Sequence, residues 1–251
     1  MARTRTAGGL LALALLGAAT TACGLSEALG LRGPERYTAA CAVLVDGSGS
    51  AAAAPEGFDG REKLRTALPD FLAERECRTL AFAPITAASQ GSECQEPELE
   101  MDPDADSTDD RDQLREVRRV IAMEQAERLL DCAQERDPGS DVLGALARVA
   151  DAAPADAEAY HVLVVSDFAQ HDASFVLGST DLSTPEARAE AMDGLAADGR
   201  LPQLPAGTVV YPAGYGMRYS DDPAAYDDFD AFWRELLQER GEADVDLAYR
   251  Q

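Results

Sequence analysis

Along most of this chain, short apolar runs alternate with segments in which apolar residues recur at the spacing of an α-helix. This alternation limits the possible folds more than any other feature. Strands that alternate with helices predict a parallel sheet with crossover helices. Four runs have the compact apolar character of strands that are covered on both faces. They are residues 40–45, 79–85, 161–166 and 208–211, and residues 245–249 form a weaker candidate for an edge strand.

Helical spacing of apolar residues is clearest in four segments. In the first, Leu64, Leu68 and Leu72 share one face, and Pro69 is expected to kink or restart the helix. The other three are a long helix over residues 114–133, a shorter helix over residues 142–150 and an apolar stripe over residues 229–237 that ends at Gly241.

The length of the chain favours one large domain. With 251 residues, of which 46% are hydrophobic, the chain can bury a full core. We therefore predict a single α/β domain with a doubly wound, mostly parallel central sheet flanked by helices, as in Rossmann-like folds.

The first 22 residues have the features of a secretory signal. Arg3 and Arg5 precede a short apolar run, small residues follow it, and Cys23 comes directly after them. Residues 20–23 look like a bacterial lipobox, in which cleavage leaves the cysteine to carry lipid. We predict a signal peptide over residues 1–22, lipidation of Cys23, a tether over 23–36 and a folded domain over 37–251. The protein would then be exported and anchored on the extracytoplasmic face of the cell membrane.

The charge of the chain limits its partners. Acidic residues outnumber basic ones by 46 to 22, for a net charge of −24. A field this negative repels phosphate backbones, which excludes nucleic acid as a partner. Residues 93–112 are especially acidic, but Ser107 and Gln113 stand where a calcium-binding loop has its glycine and its glutamate. A disordered or solvated acidic loop is therefore expected there.

The first predicted strand leads directly into the loop Asp46-Gly47-Ser48-Gly49-Ser50. Ligand sites of open α/β sheets lie at the carboxyl ends of the strands. One carboxylate and two hydroxyls on one loop suit a hard cation such as Mg2+. The same residue types are also the commonest in turns, so the loop alone leaves a metal site and a simple turn both open.

Two later segments extend the pattern of this loop. Ser140 stands at the head of a predicted helix, and Asp167 follows a predicted strand. Over residues 38–250 the chain resembles a von Willebrand factor type A domain with a metal-ion-dependent adhesion site. That pattern is Asp-x-Ser-x-Ser after the first strand, a Thr at the head of a later helix and an Asp at the end of the fourth strand. Ser140 replaces the Thr, and Phe168 replaces a residue that is commonly small, which would narrow access to the metal.

The resemblance implies a ligand set for Mg2+ or Mn2+ that consists of Asp46, Ser48, Ser50, Ser140 and Asp167. It further implies that an acidic side chain of a partner protein completes the coordination, and that the protein binds rather than catalyses.

Two alternatives to metal-dependent binding remain open. One is a structural or scaffolding domain whose site is weak or inactive. The other is a secreted serine hydrolase with Ser48 or Ser50 as nucleophile and His171 as base, oriented by Asp167 or Asp172. The hydrolase is disfavoured because neither serine lies in a Gly-x-Ser-x-Gly elbow.

If Cys23 carries lipid, four of the five cysteines remain, and an extracytoplasmic compartment permits disulfides. Three pairings of Cys41, Cys77, Cys94 and Cys132 are possible. In the fold that the resemblance implies, the first two strands are neighbours, which favours Cys41 with Cys77. Cys94 with Cys132 would then join the acidic loop to the long helix, unless some thiols remain free and buried.

Overall fold

A six-stranded sheet forms the centre of the molecule, as given by a computed structural model that describes residues 36–53, 57–104 and 110–247. Its strands in chain order are β1 (Ala39–Asp46), β2 (Cys77–Ile85), β3 (Leu99–Glu100), β4 (Tyr160–Val165), β5 (Val209–Ala213) and β6 (Asp244–Val245). They lie side by side in the order β3-β2-β1-β4-β5-β6, and β3 is antiparallel to β2 while the other described neighbours are parallel. The predicted α/β class with a mostly parallel sheet is confirmed.

The described residues also form five α-helices, whose starts are fixed by capping side chains. They are α1 (Gly60–Glu74), α2 (Arg111–Arg136), α3 (Val142–Ala152), α4 (Pro185–Ala197) and α5 (Pro223–Arg234), and a π-helical segment, Glu235–Arg240, continues the last. At α2 the Asp110 carboxylate accepts hydrogen bonds from the N–H groups of Asp112 and Gln113. At α3 the Asp141 carboxylate accepts one from Gly144. Such caps satisfy donors that a helix leaves without an internal partner.

Some elements differ from the sequence predictions. α1 continues through Pro69, because burial of Leu64, Leu68 and Phe71 on one face outweighs the local cost of the proline. The sequence pattern does not predict β3, which has two residues, or α4. In α4 the buried apolar residues are Met192 and Leu195, too few to produce a recognisable helical stripe.

Separate apolar clusters cover the two faces of the sheet. Leu44 of β1 belongs to a cluster that includes Trp233 of α5 and the buried face of α3. Its neighbour Val43 points the opposite way, into a cluster with Phe71 of α1 and the buried face of α2. Burial on both faces explains why β1, β2 and β4 appear in the sequence as continuous apolar runs.

Both favoured disulfides are present, which confirms the predicted pairing. Cys41 of β1 is bonded to Cys77 of β2, with the Cα atoms 5.6 Å apart. Cys94 is bonded to Cys132 of α2, with the Cα atoms 5.8 Å apart. The first bond joins two neighbouring strands, and the second fastens the acidic segment to the long helix.

Part of the acidic segment is buried, contrary to the prediction of a solvated loop. The Asp102 side chain is 1% exposed and accepts a hydrogen bond from Arg115 Nε at 2.9 Å. It also accepts one from the N–H of Tyr37 at 2.9 Å. The burial is possible because the arginine compensates the charge and the backbone donor satisfies the remaining oxygen.

The predicted signal peptide, the lipidated Cys23 and residues 24–35 of the predicted tether lie outside the described residues. The described residues from Arg36 onward form one compact unit. Among the helices described in that unit, none combines the length and the apolar character that a bilayer span requires.

Candidate functional site

Two neighbouring parallel strands bring the two predicted acidic residues to one edge of the sheet. β1 ends at Asp46, and β4 ends at Val165, after which come Ser166 and Asp167. Val45 pairs with Val165 in the parallel register of β1 and β4, so the residues that follow emerge side by side. The carboxyl ends of parallel strands are where open α/β sheets form ligand sites.

The Asp46 carboxylate is 1% exposed, and protein donors hold both of its oxygens. Oδ1 accepts a hydrogen bond from the N–H of Ser48 at 2.8 Å, which closes a tight turn after β1. Oδ2 accepts one from the hydroxyl of Ser166 at 2.5 Å. These bonds fix the orientation of the carboxylate and link the end of β1 to the end of β4.

The serines of the first loop and Asp167 form a connected group. The Oγ atoms of Ser48 and Ser50 lie 2.9 Å apart, which is a hydrogen-bond distance. The Ser50 side chain lies close enough to the Asp167 carboxylate to lower its pKa. Asp167 Oδ1 also accepts a hydrogen bond from the N–H of Ala169 at 3.0 Å. The structure therefore brings Asp46, Ser48, Ser50 and Asp167, four of the five predicted site residues, together at one edge of the sheet.

Burial and mutual repulsion make the negative charge of this pair unfavourable. Burial, and after it the charge of Asp167, raise the pKa of Asp46 to about 7, although hydrogen bonds from Ser166 and Ser48 act in the opposite direction. Burial also raises the pKa of Asp167, against the hydrogen bonds from Ala169 and Ser50. Near neutral pH the pair is therefore stabilised by a proton or by a nearby positive charge.

Ser140, the fifth predicted site residue, lies just before α3 on the wall of a cavity of about 610 Å³. Ser48 and Ser50 line the same cavity. Ser140 is 5% exposed, and its hydroxyl oxygen has no hydrogen-bond partner among the described residues. A buried hydroxyl without a partner is costly, so this atom indicates a position where a ligand would gain a contact.

A buried glutamine holds the start of α3 beside Ser140. Gln170 Oε1 accepts a hydrogen bond from the N–H of Leu143 at 2.9 Å. Gln170 Nε2 donates to Asp141 Oδ1 at 3.2 Å. The carbonyl of Ser140 itself accepts a hydrogen bond from the N–H of His171 at 2.8 Å. The segment after β4 and the start of α3 are thus tied together, which fixes the position of Ser140.

Phe168 does not narrow access to the site, contrary to the prediction. It has a φ of 61°, a left-handed conformation that is uncommon for a residue with a side chain. Its ring is fully buried and contacts the rings of Tyr215 and Trp233 edge to face. Trp233 Nε1 also donates a hydrogen bond to the Phe168 carbonyl at 3.1 Å. These contacts hold the strained backbone and direct the ring into the core, away from Asp167.

Gly47 lets α2 approach the loop after β1. A Cβ atom at this position would lie 2.6 Å from the Cβ of Ala133 and 2.7 Å from its backbone carbonyl carbon. Real Cβ atoms do not approach neighbours so closely. The glycine is therefore required for close packing rather than for a special backbone angle.

Three residues at the site were not predicted as ligands from the sequence. They are Ser166, Arg218 and His171, and His171 was considered as the base of a hydrolase. Ser166 could have been found from the sequence, because it immediately precedes Asp167 at the end of an apolar run. Arg218 lies on a short 3-10 turn after β5 (Met217–Tyr219), and no motif marks it. His171 lines the cavity with Ser48 and Ser50, but within the described residues its ring makes no hydrogen bond to either serine. The hydrolase alternative gains no geometric support from that arrangement.

Comparison with known proteins gives few matches. No protein-family model matches the chain, and no curated protein matches it. Among solved structures, a mutant of the PilB minor pilin from Streptococcus sanguinis is similar over 86% of this chain and 58% of that chain, with 12% sequence identity and a TM-score of 0.46. The human COPII-coat protein Sec24c is similar over 86% of this chain and 30% of that chain, with 12% identity and a TM-score of 0.38. The chain thus spans less than two thirds of either structure.

The predicted membership in the von Willebrand factor type A family, with its metal-ion-dependent adhesion site, is wrong by these findings. No family model matches the chain. In the described ranges, no group of three or more His, Cys, Asp and Glu side chains is placed to hold a metal ion. The physical reason lies in the composition of the site, where Asp46 and Asp167 supply carboxylates and serines supply the rest. Such short Asp, Gly and Ser segments are common in turns of many folds.

Proposed function

We propose that this chain is an exported, lipid-anchored protein that binds a protein ligand at the carboxyl edge of its sheet, with a divalent cation, Mg2+ or Mn2+, between Asp46 and Asp167. The observation that carries the proposal is the meeting of these two buried carboxylates with the hydroxyls of Ser48, Ser50 and Ser140. The proposal rests on this local chemistry and on no family relationship.

The charges of the site support a bound cation. Two buried carboxylates at one sheet edge repel each other, and a cation between them would offset both the repulsion and the cost of burial. Mg2+ prefers oxygen ligands and is usually bound through one or two carboxylates, with water in the remaining positions. Asp46 and Asp167 would supply the carboxylates, and the serine hydroxyls would bind the ion or its water.

The hydroxyl of Ser140 supports the same position. It is buried, it lacks a partner among the described residues, and it shares a cavity wall with Ser48 and Ser50. A buried hydroxyl that gains a partner recovers about 1–3 kcal/mol of desolvation cost. The ion, or a water bound to it, would supply that partner.

Calorimetric titration of the purified full chain with MgCl2 and MnCl2 tests the cation. Asp46→Asn and Asp167→Asn keep the size of each side chain and remove its charge. Asp221→Asn is the matched control, because Asp221 is an exposed aspartate that lines a cavity with Asp167 but is not a proposed ligand.

We expect saturable binding by the unmodified chain and by Asp221→Asn, and at least a tenfold loss of affinity in the other two variants. Thermal unfolding of each variant checks that the fold is retained. A titration of the unmodified chain without saturable heat, or equal affinities in all variants, would refute the cation.

The protein ligand requires a separate test. A cation held by two carboxylates remains electropositive enough to attract an anionic group from outside. Chemical crosslinking is carried out on intact cells, once in Mg2+ and once in a chelator. The unmodified chain and Asp221→Asn should each be crosslinked to a neighbouring protein in Mg2+ but not in the chelator. Capture that is unchanged by the chelator and by Asp46→Asn would contradict cation-dependent binding.

We further propose that the fold is doubly wound in the Rossmann-like sense. The arrangement is supported by the order of the strands, because β2 lies on one side of β1 whereas β4 and the later strands extend the sheet on the other side. It is also supported by helices on both faces, with α1 and α2 on one side and α3 and α5 on the other. A site between β1 and β4 then lies at the switch point, where such sheets bind ligands.

A further inference from the structure

Arg218 is an exposed positive charge at the mouth of the candidate site. It lines the cavity of about 610 Å³ that contains Ser140 and also a second cavity of about 570 Å³ that contains Asp167. Ser50 borders both cavities as well, so the two spaces meet where these residues lie. A ligand in either cavity would therefore lie beside Arg218.

This arginine has no ion-pair partner within 4 Å in the part of the chain that the structure describes, although acidic residues outnumber basic ones by 46 to 22. Most other described arginines near carboxylates are paired, for example Arg200 with Asp172 and Arg234 with Asp230. An unpaired arginine in so acidic a chain is available to a group from outside. Its charge is close enough to lower the pKa of Asp167, which places it within electrostatic reach of the site.

The surroundings of Arg218 suit an anionic side chain with a short apolar stem. Ser48, Ser50 and Ser140 line the cavity of about 610 Å³ together with His171. Asp172 lines it as well, but its carboxylate is paired with Arg200. Next to Arg218 the Met217 side chain is 41% exposed, which leaves an apolar contact at the rim. The planar guanidinium matches the two oxygens of a carboxylate, which a lysine cannot pair with in the same way.

We infer that Arg218 is a specificity residue that selects a carboxylate side chain of the protein ligand and guides it into the cavity beside Ser140. This inference rests on the proposed function, since it concerns the ligand of the same site. A protein of net charge −24 repels an acidic segment over most of its surface, so Arg218 provides a local attraction at the place where the ligand binds.

The test uses two peptides that differ in one charge, acetyl-Gly-Gly-Glu-Gly-Gly-amide and its Gln counterpart. Each is titrated into the isotope-labelled full chain in MgCl2 and in EDTA, and the dissociation constant is measured from amide chemical shifts. The variants are Arg218→Gln, Arg218→Glu and Arg218→Lys. Arg240→Gln is the matched control, because Arg240 is a partly exposed arginine that pairs with Asp193 on another part of the surface.

We expect the Glu peptide to bind more tightly than the Gln peptide. Arg218→Gln should weaken Glu-peptide binding about three- to tenfold, Arg218→Glu should weaken it further, and Arg218→Lys should restore part of it. Arg240→Gln should have no effect. Equal binding of the two peptides, or Glu-peptide binding that Arg218→Gln leaves unchanged, would overturn the inference.

The two proposals fail in different ways. If Mg2+ titration is negative while Glu-peptide binding still depends on Arg218 in EDTA, the cation is refuted and the role of Arg218 stands. If Mg2+ titration is positive and the peptides do not respond to Arg218→Gln, the role of Arg218 is refuted and the cation stands.

Discussion

The hydroxyl of Ser166 donates a hydrogen bond of 2.5 Å to the Asp46 carboxylate, although the two residues are 120 positions apart in the chain. Ser166 also accepts a hydrogen bond on its Oγ from the N–H of Phe168 at 2.9 Å. One buried side chain therefore holds Asp46 in place and supports the strained backbone of Phe168. The ends of β1 and β4 are joined by this contact as well as by the sheet itself.

Ser166→Ala should lower the free energy of unfolding by about 2 kcal/mol, because it leaves a buried carboxylate oxygen and a buried N–H without their partner. Ser220→Ala is the control, since Ser220 is exposed at the neighbouring cavity, and its effect should stay within about 0.5 kcal/mol. Denaturant unfolding of both variants measures the difference. Equal stabilities would show that the Asp46 contact contributes little.

Gly47→Ala should destabilise the protein by about 1–3 kcal/mol, because the added methyl group would overlap Ala133 of α2. Gly49→Ala is a close control in the same loop, since a Cβ atom there meets nothing within 4 Å. Thermal unfolding should show a lower melting temperature for the first variant and a nearly unchanged one for the second. A similar loss in both would mean that loop flexibility, and not the approach of α2, requires the glycines.

The position of the candidate site at one edge of the sheet could be predicted from the sequence, because it depends on local sequence patterns. Asp46 follows one apolar run directly and Asp167 follows another, and parallel strands place such positions at one edge. Arg218 could not be predicted in this way. It follows β5 in a turn of ordinary composition, and only the packing of that turn brings it to Asp167.

Other features depend on contacts distant in sequence. The burial of Asp102 depends on Arg115, so composition alone predicted a solvated loop. α1 passes through Pro69 because tertiary burial outweighs a local preference. The assignment to a family relied on three short segments of turn-forming residues, which describe the local chemistry of the site but do not establish ancestry.

Cys23→Ala should abolish lipid attachment and release the protein from the membrane fraction, because the predicted anchor is the lipid on this cysteine. Intact mass after export and fractionation of the cells measure both effects. Cys132→Ala is a control that removes a different cysteine, and the intact mass of this variant should still include the lipid. An unmodified chain without added lipid mass would contradict the anchor.

The Cys94–Cys132 disulfide should stabilise the folded state by about 4 kcal/mol, because it closes a loop with a sequence separation of 38 in the unfolded chain. Replacement of both cysteines by serine, measured by denaturant unfolding without reductant, gives the value. Intact mass before and after reduction provides the control, since the unmodified chain should show two disulfides and the variant one. Four free thiols in the exported protein would contradict both bonds.

His161 should make the stability of the protein fall as the pH decreases below about 6.5. Burial, and after it the charge of Arg75, lower the pKa of His161 from its ordinary 6.5 in the folded state. The unfolded chain therefore binds the proton at a higher pH than the folded chain does. The stability that comes from the neutral imidazole is present above pH 6.5 and is lost as the pH falls through the folded-state pKa.

His161→Gln removes this titration and can keep a hydrogen bond to the Tyr211 hydroxyl, which lies 3.3 Å from His161 Nδ1. The loss of unfolding free energy between pH 7 and pH 5 should therefore be smaller in His161→Gln than in the unmodified chain. His171→Gln replaces the exposed histidine and serves as the control. In this account the half-buried His161 ring is the group that gains a proton on unfolding. Parallel stability curves for the unmodified chain and His161→Gln would therefore show that this ring does not cause the pH dependence.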